Sequence, residues 1–335
     1  MKNFIGIEIG KETVKVVLGQ VKGIQQKAVS VVERQLDSDN DESVVSILTQ
    51  AFQDWKIKPR NAILSLPRNT VTVRNLHLPS KDVDEMDRMI DLHLGRIVPY
   101  KKEEVVYTYA IAGNDSLGYS RVILAIAYHD VIKRQMKLLD KVGILPERII
   151  LSSCGVYGHV AAQYKADVKQ MPLFVILDID SDFTDFIVAD KQQMYFTRSI
   201  AVKASSLTTD EGRTRLIGQV RQSLVIFNNE EINEKPAMIY LSGLKPDGLA
   251  EMLPRELDIP LTQVPDSVAG ETGTVAACTS TVAVSRIAVE GMRQKLSFEV
   301  PEIQAQKSIR EKIRELIVLG IAGIYLTGTL CMVFV

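Results

Sequence analysis

Two well-separated stretches of the chain, Phe4–Leu18 and Phe174–Val188, carry the same order of apolar and polar positions. In each stretch an apolar run ends in an acid, Glu8 or Asp178, a tight polar turn follows, and a second run alternates apolar and polar residues. Such runs are typical of two strands joined by a turn. Because turns of this kind expose backbone N–H groups that can bind phosphates, the repeat predicts two similar α/β lobes that face one cleft.

Periodicity elsewhere predicts the elements that complete these lobes. In the first lobe it predicts strands at 4–9, 14–21, 24–34, 62–66 and 70–76 and a helix at 42–54. In the second lobe it predicts strands at 173–179, 183–190 and 193–198, a helix at 204–229, a strand at 238–241 and helices at 247–253 and 274–289. Between the lobes, a helix at 82–95, strands at 104–112 and 120–128 and a helix at 129–142 predict a small inserted α/β subdomain at about 80–145.

The segment Leu316–Val335 contains no charged residue, and a helix of about 20 apolar residues is long enough to cross a bilayer. Lys or Arg stands at positions 307, 310, 312 and 314, and cationic flanks stay on the cytoplasmic side. The pattern predicts a transmembrane helix at 316–335 behind a polar linker at 291–315; a buried core helix is the alternative. We expect the natural chain to continue into the periplasm, with a bare tail anchor as the alternative.

One face of the predicted membrane helix carries Gly323, Thr327 and Cys331, which recur every four residues. Small residues at this spacing let two helix backbones approach closely, and packing then drives their association. The spacing predicts that the helix pairs with a second copy, giving a homodimer, or with the helix of a partner. A lipid-facing anchor is the alternative.

Composition narrows the class of function. Hydrophobic residues make up 46% of the 335 residues, which is enough for a large core, and the formal net charge of −1 gives no support to nucleic-acid binding. Four histidines and three cysteines are too scattered to predict a metal site, a disulfide framework or a Cys–His nucleophile. Because the amino terminus has a strand pattern rather than a signal peptide, we expect residues 1–290 to form a cytoplasmic domain.

The two hairpins resemble those of the actin-like ATPase superfamily, in which two acid-bearing hairpins hold the phosphates. The strand at 238–241, followed by Ser242-Gly243-Leu244, resembles the element that holds adenosine in that superfamily. Two longer runs, His77–Tyr109 and Val122–Ile149, resemble PilM, the actin-like component of the type IV pilus inner-membrane platform, which has a type II secretion counterpart, GspL. The resemblance implies a two-lobed actin-like (ASKHA) fold, with the inserted subdomain in place of one of the subdomains of actin.

The resemblance also implies a scaffold at the bacterial inner membrane, with most of the chain in the cytoplasm, rather than an enzyme. Such a scaffold would couple a cytoplasmic assembly ATPase to the other platform proteins of a pilus or secretion machine, and the inserted subdomain would carry partner binding. The stretch G-M-R-Q-K-L-S-F at 291–298 resembles the segment before the membrane helix of GspL. It also stands in the place of the short PilN peptide that docks on PilM; a solvated linker is the alternative.

The nucleotide motifs depart from the superfamily pattern in three elements. Asp180 stands at the glycine position of the second turn, Leu244 replaces the second glycine of the adenosine element, and Val202–Ser205 replaces a Gly-Gly pair. The second turn is surrounded by four carboxylates: Asp178, Asp180, Asp182 and Asp185. A like charge at 4 Å from a phosphate costs about 4 kcal/mol at an effective dielectric near 20. We therefore expect nucleotide binding to be lost or greatly weakened, with ATP and Mg²⁺ not required.

A few residues could still line a degenerate nucleotide site: Gly10, Lys11, Asp178, Thr184 and Gly243. Ordinary turn, strand and surface roles are the alternatives for them, and no catalytic residue or metal ligand set is predicted. Two other functions stay open, an active ATPase whose lobes open and close, and a cytoskeletal protein like FtsA. FtsA attaches to membranes through an amphipathic helix, whereas residues 316–335 have no polar face.

Overall fold

The computed structural model describes residues 2–22, 25–36, 41–58, 62–97, 101–115, 117–162, 172–230, 232, 234–264, 296–305, 308–309 and 312. The chain divides into two compact units, Met1–Phe298 and Glu299–Val335. In the described part of the second unit, residues 301–305 are helical. The first unit contains three sheets and the helices that pack on them.

In chain order, the first part of the larger unit forms β1 (Lys2–Ile9), β2 (Thr13–Lys22), β3 (Gln25–Gln35), α1 (Asp41–Asp54), β4 (Ala62–Leu66), β5 (Val71–Leu78), α2 (Val83–Ile97), β6 (Val105–Asn114), β7 (Ser120–Tyr128), α3 (His129–Lys141), β8 (Arg148–Leu151) and α4 (Ser152–Ala162). The remainder forms β9 (Phe174–Ile179), β10 (Thr184–Ala189), β11 (Met194–Ile200), α5 (Asp210–Asn228), β12 (Met238–Gly243), α6 (Leu249–Leu257), β13 (Leu261–Gln263) and β14 (Ser297–Phe298).

Two of the sheets share one topology. The sheet of the first lobe has the order β14-β8-β4-β1-β2-β3, and the sheet of the second lobe has the order β11-β10-β9-β12-β13. In each, the central strand pairs antiparallel with the other strand of its hairpin and parallel with a later strand. A further parallel strand, β8 or β13, extends the sheet on that side. The two similar lobes expected from the repeated pattern are present, and Glu8 and Asp178 occupy equivalent positions at the ends of β1 and β9.

Helical periodicity decides which faces of the helices are buried. The buried residues of α1 recur at helical spacing: Val44, Leu48, Ala51 and Phe52. In the second lobe, Val220 and Phe227 of α5 belong to the core that covers the sheet. The ring of Phe227 packs edge-on against Phe196 of β11 with 6.0 Å between the ring centres. The cores of the two lobes therefore form on the sheets that carry the two hairpins.

The third sheet belongs to the inserted subdomain and has the order β5-β7-β6 with antiparallel pairing throughout. Helix α2 covers one face of it, because Met86, Ile90 and Leu94 recur every four residues and are buried against the sheet. The sheet includes β5, which begins at Val71 and so precedes the predicted start of the insertion at residue 80.

The helix predicted at 204–229 is wrong for its first turns. Residues Ala204–Thr208 form a 3₁₀ turn, and α5 begins at Asp210. Thr209 has an extended backbone, and its side chain accepts a hydrogen bond from Gly212 N, as an N-cap residue does. Leu207 is fully buried, so the helical spacing of apolar residues continues from the 3₁₀ turn into α5. The sequence pattern therefore gives no sign of where α5 begins.

Three short strands, β8, β13 and β14, are absent from the sequence-based prediction. Each has four residues or fewer, which is too short to show a period of two. Strand β14 lies within the predicted polar linker, where Ser297 and Phe298 pair with Ile150 and Ile149 of β8. The side chain of Phe298 is 1% exposed, so this part of the predicted linker is built into the first-lobe sheet.

Several predictions concern residues outside those that the structure describes. They are the closing helix at 274–289, the membrane segment at 316–335, and its residues Gly323, Thr327 and Cys331. Among the described residues, no helix is long and apolar enough to cross a membrane.

Candidate functional site

The turns of the two hairpins have the same backbone hydrogen bond. Gly10 N donates to Thr13 O over 2.8 Å in the first turn, and Asp180 N donates to Phe183 O over 2.9 Å in the second. The two turns therefore present equivalent positions, with Gly10 in the place of Asp180. They contact each other across the space between the lobes, and this space is the candidate site.

Asp182 of the second turn binds the backbone of the first turn. Its Oδ2 accepts a hydrogen bond from Lys11 N over 2.8 Å, and its two oxygens lie 3.2 and 3.3 Å from Glu12 N. A Cβ on Gly10 would overlap Oδ2 of Asp182, so the glycine is what allows the carboxylate to approach. Burial raises the pKa of the Asp182 carboxyl, and the N–H donors of Glu12 and Lys11 oppose that rise.

Lys15 of β2 lies behind the two turns and carries the positive charge of the site. The residue is 2% exposed, and its Nζ forms ion pairs with Asp180 of the second lobe and with Glu8, the latter over 3.2 Å. Glu8 also accepts a hydrogen bond from Ser65 Oγ over 2.6 Å. Burial raises the pKa of Glu8, and the charge of Lys15 opposes that rise. The lysine thus forms an ion pair with one acid from each lobe.

Two polar contacts flank this centre and also join the lobes. The hydroxyls of Thr13 and Ser181 lie 3.2 Å apart. Lys203 Nζ lies 3.0 Å from both carboxylate oxygens of Glu12. The two hairpins are therefore held together by side chains of the chain itself.

The predicted adenosine element is packed against the end of β9. Gly243 has a φ of +76°, and a Cβ there would overlap the carbonyl oxygen of Ile179, so only glycine fits without strain. Leu244 N donates to the same oxygen over 2.8 Å, and the Leu244 side chain packs on the second-lobe core. Beside them, burial and then the charge of Asp180 raise the pKa of the Asp178 carboxyl to about 8.

The remaining acid, Asp185, points into a different buried network. It accepts hydrogen bonds from Ser153 Oγ and, over 2.9 Å, from Thr197 Oγ1. Arg68 Nε donates to Thr197 Oγ1 over 3.1 Å, and its Nη2 donates to Thr197 O over 2.9 Å. Burial raises the pKa of Asp185 to about 6, with Arg68 opposing, and burial lowers the pKa of Arg68 to about 10.

In the sequence, four acids are crowded around the second hairpin. In the structure, their carboxylates do not converge on one point. Asp182 binds the first turn and Asp180 pairs with Lys15. Asp178 and Asp185 face each other across β9 and β10, but Asp178 lies beside Gly243 while Asp185 binds Ser153 and Thr197. Within the described residues, no group of three or more His, Cys, Asp or Glu side chains could hold a metal ion.

The predicted site residues are only partly brought together. Gly10 and Lys11 meet the second turn through Asp182, and Asp178 lies beside Gly243. Thr184 is buried on β10, and its hydroxyl donates to Val202 O over 2.7 Å, so it takes no part in the turn contacts.

Sequence reasoning missed Lys15 and the contact that Asp182 makes. Val14, Lys15 and Val16 are all buried, so both faces of β2 are covered. The alternation of apolar and polar residues therefore wrongly places the lysine on a solvent-exposed face. The available signal was its register, since Lys15 pairs directly with Glu8.

A second concavity, the α1–α3 groove, lies beside the first turn and has a volume of about 170 Å³. Apolar side chains of α1 and α3 line it: Val44, Val131 and Leu138. Gln135 is 6% exposed; its Nε2 donates to Ile9 O over 3.3 Å, and its Oε1 has no hydrogen-bond partner among the described residues. Arg134, which also lines the groove, donates to Asp41 Oδ1 from Nε over 3.0 Å.

Solved structures resemble this chain over most of its length. A PilM–PilN type IV pilus biogenesis complex matches with a TM-score of 0.70 at 18% identity, covering 84% of this chain and 96% of that one. The cytoplasmic domain of EpsL, an inner-membrane component of the type II secretion system of Vibrio cholerae, matches with a TM-score of 0.52 at 9% identity, covering 87% and 98%. A Bacteroides thetaiotaomicron protein with an actin-like ATPase fold matches with a TM-score of 0.50 at 14% identity, covering 79% and 91%.

At these identities the structural likeness establishes the fold alone, and it confirms the expected actin-like fold. A search of curated proteins gave no match. A family profile described as type IV pilus assembly protein PilM matches residues 6–211, which is more than half of the chain. On this match the chain belongs to the PilM family of type IV pilus assembly proteins.

Proposed function

We propose that this chain is a scaffold of a type IV pilus or type II secretion platform at the bacterial inner membrane. It binds platform proteins of the PilN kind and couples them to a cytoplasmic assembly ATPase. The observation that carries the proposal is the family membership, and the likeness to a PilM that was solved in complex with PilN agrees with it. The cytoplasmic domain does the binding, and residues 316–335 attach it to the membrane.

The α1–α3 groove, which lies between α1 of the first lobe and α3, the last helix of the predicted insertion, supports partner binding there. An extended peptide offers N–H donors along its backbone and places alternate side chains on one face. Gln135 Oε1, buried and without a partner among the described residues, is an acceptor for such a donor. Val44, Val131 and Leu138 provide apolar contact for side chains of the peptide. We propose that the groove holds a short extended segment of the partner.

Binding of the cytoplasmic peptide of the PilN-type protein from the same organism, followed by fluorescence anisotropy, tests this proposal. Gln135→Met should weaken binding about tenfold, because the lost hydrogen bond is worth about 1 kcal/mol and the donor on the peptide is left buried. Gln50→Met on the exposed side of α1 is the matched control and should bind normally. No binding by the wild type, or equal binding by Gln135→Met, would contradict the proposal.

We propose further that the scaffold works without turning over nucleotide. The departures at Asp180 and Leu244 support this, as does the use of Lys15 by two acids of the chain itself. The active ATPase is the alternative, and calorimetry of Mg-ATP with the purified full chain separates the two. A dissociation constant in the low micromolar range would overturn the nucleotide-free scaffold.

Membrane attachment and pairing through the predicted helix are also proposals. If the face with Gly323 and Thr327 packs against a second copy, oxidation in membranes should join two chains through Cys331. Gly323→Leu should reduce the dimer, because a large side chain separates the helices. If the chain stays monomeric while a positive control crosslinks, the pairing proposal is wrong and the helix is a lipid-facing anchor.

A further inference from the structure

We propose that Asp182 is an internal ligand of the first turn, which takes the place of a phosphate and excludes phosphate-bearing ligands while the contact lasts. The inference concerns the cleft and does not depend on partner binding at the α1–α3 groove. It goes beyond a merely weakened nucleotide site, because it assigns the exclusion to one carboxylate and one backbone segment.

The first turn has the chemistry of an anion site. Successive backbone N–H groups that point to one side form a concave site for anions. In the first turn, the N–H groups of Lys11 and Glu12 both point at Asp182, at 2.8 Å and at 3.2 to 3.3 Å. The missing Cβ of Gly10 leaves the room that the Oδ2 atom occupies. The anion site of the turn is thus built and filled.

The carboxylate that fills this site comes from the other lobe. Carboxylates elsewhere in the chain bind the backbone of their own turns: Asp190 accepts from Gln192 N and Gln193 N over 2.6 and 2.8 Å, and Asp180 accepts from Ser181 N over 2.7 Å. Asp182 instead reaches donors that are 170 and 171 residues away in the sequence. Its contact therefore joins two lobes rather than stabilising one turn.

The cationic side chain behind the turn is already paired with acids of the chain itself. Lys15 Nζ forms ion pairs with Glu8 and Asp180, and a phosphate that entered would meet these acids before the lysine. A polyphosphate or nucleoside triphosphate can reach the first turn only by displacing Asp182. In the wild type, Asp182 therefore joins the lobes at the position where a bound nucleotide would join them in a nucleotide-binding protein of the same fold.

Amide hydrogen exchange on the purified full chain tests the contact directly. Asp182→Ala should speed exchange at the Lys11 and Glu12 amides by about tenfold or more, because each loses a hydrogen bond to a charged acceptor. Asp190→Ala is the matched control, since it also removes a carboxylate that binds two turn amides, and it should speed exchange only at Gln192 and Gln193. Unchanged exchange at Lys11 and Glu12 in Asp182→Ala would overturn the proposal.

Titration with inorganic tripolyphosphate tests the exclusion. The wild type and Asp190→Ala should give no binding at millimolar concentrations, and Asp182→Ala should bind. Equal binding by all three proteins, or by none of them, would overturn the claim that Asp182 excludes phosphates. Asp182→Asn, which keeps an acceptor of the same shape, serves if the alanine variant does not fold, and should give weaker protection of the two amides. A failure in these assays leaves the peptide-binding assay of the scaffold intact, so the two proposals fail separately.

Discussion

At the scale of single residues, Gly10 is the position where the smallest change should have a clear effect. Gly10→Ala places a Cβ where Oδ2 of Asp182 lies, so the carboxylate must leave the Lys11 amide. We expect the free energy of unfolding to fall by about 1 kcal/mol, the net value of a typical hydrogen bond, because the Lys11 amide that loses its acceptor is exposed to water.

The matched control for this change is Gly218→Ala in α5. Gly218 is exposed, and a Cβ there meets nothing within 4 Å. Alanine favours the helix by about 1 kcal/mol over glycine, so this variant should gain stability. Urea unfolding of both variants checks the pair, and a Gly10→Ala protein as stable as the wild type would argue against a tight turn contact.

The Asp178 carboxyl should make the stability depend on pH. Its pKa rises to about 8 on folding, mainly through burial, so between the unfolded value of about 4 and this value the folded state holds an extra proton. That contribution is complete below about pH 4 and is lost as the pH rises to 8, by at most about 1.4 kcal/mol per pH unit. Asp178→Asn should therefore flatten the loss of stability between pH 5 and 8.

Urea unfolding at several pH values measures this loss, with the exposed Asp247→Asn as the control. The control should follow the wild-type curve. If Asp178→Asn also follows it, with a parallel curve over the whole range, then the carboxyl does not hold the extra proton.

For single residues, the sequence predicts which positions have a special role better than it predicts which residues they contact. Gly10 and Gly243 are recognisable because each ends a strand pattern, and both prove to be close-approach positions. The partner of Lys11 is not recognisable, because Asp182 lies in the other lobe and nothing local links them. That the like charges of the second hairpin make a site hostile to phosphate stays a prediction. The partners that these acids take, such as Lys15 for Asp180 and Thr197 for Asp185, depend on tertiary packing and have no local signal.

At the scale of elements, the start of α5 should depend on its cap. Thr209 Oγ1 accepts a hydrogen bond from Gly212 N over 3.2 Å, and replacing such a cap with alanine costs about 1 kcal/mol. Thr209→Ala should lower the thermal midpoint, whereas Thr214→Ala, at an exposed position within α5, should leave it unchanged or raise it. Equal midpoints for the two variants would contradict the cap.

Most helices and strands can be predicted from periodicity alone, and the short strands that were not predicted were missed for one reason. The hairpins and the amphipathic α2 and α3 are predicted within a few residues, because each has one buried face or two clear strand runs. The four residues of β8 lie between two helices and join a sheet through β4, a partner far away in the sequence. Short strands of this kind are defined by their neighbours, so no local pattern predicts them.

At the scale of the whole molecule, the network around Arg68 should couple the lobes energetically. Arg68 follows β4 of the first lobe, whereas Asp185 and Thr197 belong to the second, and the Thr197 hydroxyl accepts from Arg68 while it donates to Asp185. Arg68→Met leaves a buried acid without its counter-charge and should cost about 3–5 kcal/mol.

A double-mutant cycle measures this coupling. Adding Asp185→Asn to Arg68→Met should cost less than the sum of the two single changes, because the second removes the charge that the first leaves unpaired. Arg74→Met, at an exposed position on β5, is the control and should change stability by no more than about 0.5 kcal/mol. Additive costs would show that Arg68 and Asp185 do not act together.

The pairing of β14 with β8 connects the carboxy-terminal part of the chain to the first-lobe sheet, and a mechanical force on that part would act there first. Two residues, Ser297 and Phe298, pair with Ile150 and Ile149 at the edge of the first-lobe sheet. By the order of strands in the sheet, a pull on the chain beyond them would act on β8 and then, through β4, on the hairpin strand β1. Mechanical load would therefore reach the first lobe before the second, and the cross-lobe contacts of the two turns would transmit it onward.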